Sequence, residues 1–229
     1  MAKFEEAARQ MQNGVGVVRN FRVNAHSMVM EGSKYHSEFQ RFLLFLFPRK
    51  TGKHVADSNI ETEWRRTPEY QGGFVLDGGI HIVAGLRLLL GETHDALTSV
   101  SAQSCLQQKH LAPVDTVNAV FKTRHHAAGV MSLSYGSRNK EQTFEFAGEG
   151  GDLTLNGDTV TTENKTTEVE FSGRGVREEV RCFAQNILDN RGMVDKAISP
   201  EEAMADLEVM EKMLMSAERN GERMALEFQ

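Results

Sequence analysis

Two cysteines, four prolines and one tryptophan in 229 residues leave several protein classes with little to be built from. Cys105 and Cys182 lie far apart and in no metal-ligand spacing. A disulfide-framed secreted domain needs more, so the pair reads as reduced thiols of a cytoplasmic protein. A basic excess is also missing: 26 Lys and Arg against 32 Asp and Glu give a net charge of −6, with no footprint for nucleic acid. Long hydrophobic runs are absent too. The longest uninterrupted one, Phe42 to Phe47, falls far short of the roughly 20 residues that span a bilayer. The polar opening Met1-Ala-Lys-Phe-Glu-Glu carries no leader pattern. What is present is an ordinary soluble composition, 40% hydrophobic and 25% charged, in a chain long enough to bury a real core.

Periodicity organises the rest. Phe4, Ala7, Ala8 and Met11 predict a helix over 4–13, stopped by Asn13-Gly14. Val15 to Val23 reads as a strand, Phe21 and Val23 facing one way, Arg22 and Asn24 the other. From Gly72 to Leu90 nearly every side is apolar, which predicts a buried helix. Short alternating runs follow at 96–103, 116–124, 128–136, 142–147, 151–155, 159–163 and 166–171, with a hairpin signal at Asn156-Gly157. Val176, Val180, Phe183 and Ile187 mark one face of a helix over 176–190. Ser199-Pro200-Glu201-Glu202 caps another over 200–219, with a predicted stripe of Ala203, Leu207, Met210, Leu214 and Ala217. A last strand is expected over 223–228. Strands grouped this way between helices predict α+β: a large, mostly antiparallel open sheet with helices packed on one face.

No glycine segment has the context of a dinucleotide site. Gly14-Val15-Gly16 leads into a strand, Gly148-Glu149-Gly150-Gly151 joins two strands, and Gly173-Arg174-Gly175 has Glu178 where a third glycine belongs. A Rossmann unit is therefore not expected in this chain.

The segment Trp64 to His81 carries the chemistry. On a helix, Asp77 and His81 are four residues apart and share a face. Both are polar in an apolar helix, which costs free energy unless they are paired or used. Gly78-Gly79 weaken that helix by roughly 1 kcal/mol each relative to alanine, and a close approach to the backbone would account for them. Three readings stand: a satisfied structural pair or cap, two ligands of a metal with no visible third, and an acid–base histidine oriented by its aspartate.

At these residues the chain resembles the Gfo/Idh/MocA oxidoreductases, whose C-terminal domain carries Gly-Gly-x-x-x-Asp-x-Gly-x-His. Gly72-Gly73, Asp77, Gly79 and His81 match it. Phe4 to Arg22 looks like that family's linking helix and first strand, and 200–228 like its closing helix, with Ser216 to Gly221 as the exit. The resemblance implies the substrate-binding and oligomerisation part of an NAD(P)-dependent enzyme acting on a sugar, polyol or related hydroxyl compound. It implies His81 as acid/base, Asp77 as the residue that positions it or the substrate, and Trp64 and Arg65 at the substrate pocket. Many members have an acidic residue three positions after the histidine, where this chain has Ala84. The family's N-terminal Rossmann domain and its Glu-Lys-Pro lysine have no counterpart here. NAD or NADP is thus implied for the full-length family and no cofactor is expected for this chain alone. Homo-oligomers through the sheet face are implied, with a non-catalytic binding or dimerisation module as the alternative.

The chain reads as one domain over 1–229, with 36–60 as an atypical insertion. Its aromatic–aliphatic knot fits a lid or oligomer contact. The smoother continuation of Tyr35 into Glu61 fits a non-native insertion retained from the gene.

Overall fold

The computed structural model describes residues 2–31, 68–69, 73–169, 176–189 and 198–229. Trp64, Arg65 and the segment 36–60 lie outside the described residues. Along the chain, α1 (Ala2–Gln10) continues through a π-helical turn (Met11–Val15) into β1 (Val18–His26). Next come α2 (Gly73–Gly91), β2 (Leu97–Cys105), β3 (Thr116–Thr123), β4 (Ala128–Ser134) and β5 (Glu141–Gly148). A meander of β6 (Asp152–Asn156), β7 (Thr159–Thr162) and β8 (Lys165–Glu168) follows, then α3 (Val176–Leu188), α4 (Pro200–Glu218) and β9 (Met224–Ala225).

One sheet holds all nine described strands, in the order β8-β7-β6-β5-β1-β4-β3-β2-β9. Every neighbouring pair is antiparallel except β1 and β4. Parallel neighbours need a long crossover, and here the chain between β1 and β4 supplies it through α2, β2 and β3. The α+β open sheet expected from the sequence is the fold observed.

Strand alternation sends one face to the core. Phe21, Val23 and Ala25 of β1 are buried while Arg22 is exposed, as the pattern predicts. Phe21, Gly129 and Phe121 stand side by side on β1, β4 and β3. A methyl on Gly129 would lie 2.2 Å from the Phe21 ring, so the missing side chain is what lets both phenylalanines enter the same layer. Phe146 stacks on Phe21 from the other side, with centroids 6.2 Å apart. In the hairpin between β6 and β7, Gly157 alone takes the positive φ, 58°, while Asn156 still pairs with Thr159.

The cap of α4 forms as expected, with the Ser199 hydroxyl accepting from the Glu202 N–H and Pro200 in the first turn. The predicted stripe is corrected. Ala203 and Leu207 are exposed, and Ala205, Glu208, Val209, Met210, Met213, Leu214 and Ser216 are buried. The helix packs on β2 and α2 at once, and apolar spacing does not say which of two overlapping faces meets them. At its exit, the Ser216 hydroxyl accepts from the Ala102 N–H of β2 (2.8 Å) and donates to the Glu222 carbonyl (2.6 Å). The last strand is shorter than expected. The Glu227 and Phe228 N–H groups donate to the buried Glu208 carboxylate at 2.6 and 3.0 Å, which takes them out of the sheet ladder. On α3, Val180, Phe183 and Ile187 do share a face, but the described residues leave each more than half exposed.

Candidate functional site

By length and composition α2 could cross a membrane, yet half of it is buried inside the protein. Val75, Ile82, Val83, Leu86, Leu89 and Leu90 form its core side. The helix is not enclosed all round, as its apolarity suggested. Asp77 is half-buried, His81 one turn on is exposed, and Leu88 continues the same outward line. The shared face of Asp77 and His81 is therefore the face that a solute can reach.

The glycines of α2 are explained by what touches them. A methyl at Gly78 would lie 2.6 Å from the Tyr135 Oη and 2.7 Å from its Cζ. At Gly79 it would meet Met210 and Leu133 at 3.0 and 3.1 Å, and at Gly85 the Phe4 ring at 2.6 Å. Gly73 opens the helix at φ +41°, in the left-handed region, beneath the Ala112 carbonyl. The pair Gly78-Gly79 thus marks where a side chain of the sheet and one of α4 reach the helix backbone.

Tyr135 directly follows β4. Its N–H donates to the Asp115 carbonyl (2.8 Å), and its own carbonyl accepts from Val29 (2.9 Å). The ring meets Phe74 edge-on, with centroids 4.9 Å apart and planes at 85°. Burial, and then the negative charge of Asp77, push the Tyr135 phenol well above its ordinary value. A neutral hydroxyl is thereby kept at the turn that carries Asp77.

On the next face of the helix, Arg87 ties α2 to α4. Its Nη1 donates to Asp206 Oδ1 (2.5 Å), its Nη2 to Glu202 Oε2 (2.9 Å) and its Nε to Gln229 Oε1 (2.7 Å). Burial raises the Asp206 carboxyl above the usual carboxylate range, and Glu202 adds to this; Arg87 and the His81 charge oppose it. His81 thus has a second carboxylate within electrostatic reach, on a helix 125 positions further along the chain. Tyr135, Arg87 and Asp206 were not singled out as site residues from the sequence. The glycine pair was the one signal that something approaches here.

A cleft of about 560 Å³ opens beside α2, lined by Leu76, Met204, Leu207, Lys212 and Phe228 among others. Neither Asp77 nor His81 lines it, so it is not where their chemistry would occur. Among the described residues no three His, Cys, Asp or Glu side chains converge to hold a metal. Gly14 and Gly16 flank the end of the π-helical turn, and Gly150 packs against Val15 in the β5–β6 hairpin. These glycines make no strand–loop–helix cradle for a pyrophosphate, and Gly173 to Gly175 lie outside the described residues.

Residues 50–226 match the sequence model of the oxidoreductase family, C-terminal alpha/beta domain. The dehydrogenase FPY6 of Fusarium mangiferae is 34% identical over 226 residues, covering 93% of this chain and 63% of that protein. An oxidoreductase from Thermotoga maritima superimposes with a TM-score of 0.76 at 22% identity, covering 98% of this chain and 59% of the other. The WlbA dehydrogenase from Bordetella pertussis, in complex with NADH and UDP-GlcNAcA, superimposes at 0.69 and 20% identity, covering 99% and 60%. The chain spans less than two thirds of these relatives' length.

Proposed function

The chain belongs to the oxidoreductase family whose C-terminal α/β domain it matches over residues 50–226, and on that premise we propose that it is the substrate-binding part of an NAD(P)-dependent enzyme. The substrate class is a sugar, polyol or related hydroxyl compound. His81 takes up or returns the hydroxyl proton, and Asp77 orients its imidazole. Trp64 and Arg65 belong to the same proposal as substrate contacts. The observation that carries it is the outward face of α2, where the only two ionisable residues in the helix's first three turns, Asp77 and His81, line up on an otherwise apolar segment.

Hydride transfer needs a nicotinamide held against the reacting carbon, a part this proposal assigns to the family's nucleotide-binding domain. No redox step is therefore derived for this chain. Its own contribution is to bind the hydroxyl compound, orient it on α2 and move one proton at the imidazole. Cytoplasmic location, a single domain over 1–229 and the inserted character of 36–60 remain part of this proposal.

Saturation-transfer NMR with hexoses and inositols tests it. At least one compound should bind the chain and lose binding in His81→Ala; hits indifferent to His81, or none at all, overturn the reading. In parallel, NADH and NADPH should give no fluorescence titration with the isolated chain, and micromolar affinity would contradict the division of labour proposed.

One observation supports a second property, association through the open sheet face. Val120 of β3 and Val130 of β4 stand opposite each other and are 54% and 42% exposed. A non-catalytic dimerisation module would use the same patch. Light scattering on Val120→Glu distinguishes an associating sheet, which dissociates, from a monomer that is unchanged.

A further inference from the structure

We infer that the Tyr135 hydroxyl is a specificity-determining substrate contact, donating a hydrogen bond to one hydroxyl of the compound bound at His81. This deepens the proposed function and rests on it for the class of ligand; where the phenol sits rests on contacts alone. Backbone hydrogen bonds to Asp115 and Val29 hold the residue at the end of β4. The Phe74 ring, one turn before Gly78, meets it edge-on with centroids 4.9 Å apart. The phenol oxygen reaches α2 itself, 2.6 Å from where a methyl on Gly78 would stand. At roughly 100° per residue, Gly78 lies about 60° round the helix from His81 and about 100° from Asp77. The oxygen therefore borders the strip that those two side chains share.

The mounting is rigid. Asp115 is fully buried; its Oδ2 accepts from the Gln107 and Gln108 N–H groups at 3.0 and 2.7 Å, and its Oδ1 from the Thr116 hydroxyl at 2.9 Å. A methyl on Gly136 would collide with that carboxylate at 2.4 Å. The backbone that carries Tyr135 is thus packed on both sides, and the phenol is held in place before any ligand arrives.

A hydroxyl so deep calls for a partner. Only 9% of Tyr135 is exposed, and its hydroxyl makes no hydrogen bond with any described residue. Among the described residues, polar side-chain atoms sealed from solvent without a partner occur on His26, Asp95, His125 and Ser137. The Tyr135 oxygen is not one of them, so the exposure the residue keeps includes its polar tip. A sugar or polyol hydroxyl supplies the missing acceptor, because one oxygen can accept from the phenol while its own proton stays free to move. A fixed donor also discriminates strongly against a ligand that lacks the matching hydroxyl, since the phenol is then left unpaired. Phenylalanine would fill the same space without the donor.

The test uses the full chain, with D-glucose, D-galactose, D-mannose and myo-inositol as probes and Kd read from saturation-transfer NMR titrations. For a probe that binds, Tyr135→Phe should raise Kd roughly tenfold. Among the monodeoxy analogues of that probe, the one lacking the contacted hydroxyl should bind the unaltered chain and Tyr135→Phe equally. An unchanged Kd overturns the inference. So does a loss of equal size for every analogue, which marks a general effect of packing rather than one hydrogen bond. Binding that depends on His81 and not on Tyr135 sinks this inference alone. Binding that depends on Tyr135 and survives His81→Ala leaves the contact standing and removes the proposed function. No binding by any probe overturns both.

Discussion

Placing one methyl group at each glycine of α2 in turn should sort those glycines by what touches them. Alanine in a helix interior gains about 1 kcal/mol over glycine. An added methylene in a packed interior loses about 1–3 kcal/mol. At Gly91 the new methyl would meet nothing within 4 Å beyond its chain neighbours and its own helix backbone, so Gly91→Ala should stabilise, by less than the full gain because it ends the helix. At Gly79 the nearest atom is the flexible Met210 Cε at 3.0 Å, which can give, and the change should be near neutral. At Gly78 the obstacle is the Tyr135 hydroxyl oxygen at 2.6 Å, on a residue held by Phe74 and by backbone hydrogen bonds to Asp115 and Val29. Strain should exceed propensity there, leaving a net loss of about 1 kcal/mol. Urea denaturation reads this as a midpoint lowered by roughly 0.5 M at a typical slope. In a Tyr135→Ala background the same Gly78→Ala substitution should become stabilising. A Gly78→Ala protein as stable as Gly91→Ala, or a penalty that survives without Tyr135, would refute the contact and everything argued from it.

Two further outcomes follow from the polar groups. The Tyr135 phenol is raised in the folded state, so the fold retains a proton that the unfolded chain releases above about pH 10. Its stabilising effect is complete below that pH and falls by about 1.4 kcal/mol per unit as pH rises further, until the folded phenol ionises. Tyr135→Phe should flatten the alkaline limb of stability in thermal melts; an unchanged limb contradicts the burial argument. Arg87→Met leaves the Glu202 and Asp206 carboxylates without their guanidinium and should destabilise by about 3 kcal/mol. Asp206→Asn in that background should recover part of the loss in chemical denaturation, and no recovery would mean the pair is not what the arginine supports.

Much of this protein was legible in order. The positions of the strands and of the four described helices follow from periods of 2 and 3.6, and Ser199-Pro200 and Gly157 signal a helix start and a turn through local backbone chemistry that needs no tertiary context. Asp77 and His81 stood out because polar residues at helical spacing are conspicuous in an apolar run. The errors share a cause. The α4 stripe and the last strand were misjudged because Leu207 and Phe228 have the right spacing, while the partners that decide burial come from elsewhere: β2 and α2 for the helix, and the Glu208 carboxylate for the tail.

The amino-acid sequence by itself determined the α+β class, the family and the Asp77–His81 turn, since each depends on residues near one another along the chain. The tertiary structure alone decided what surrounds that turn. Tyr135 reaches Gly78 from a strand end 57 positions away, and Asp206 comes within reach of the His81 charge from α4. Such approaches are set by sheet register and helix packing, which bring together residues that no local pattern relates.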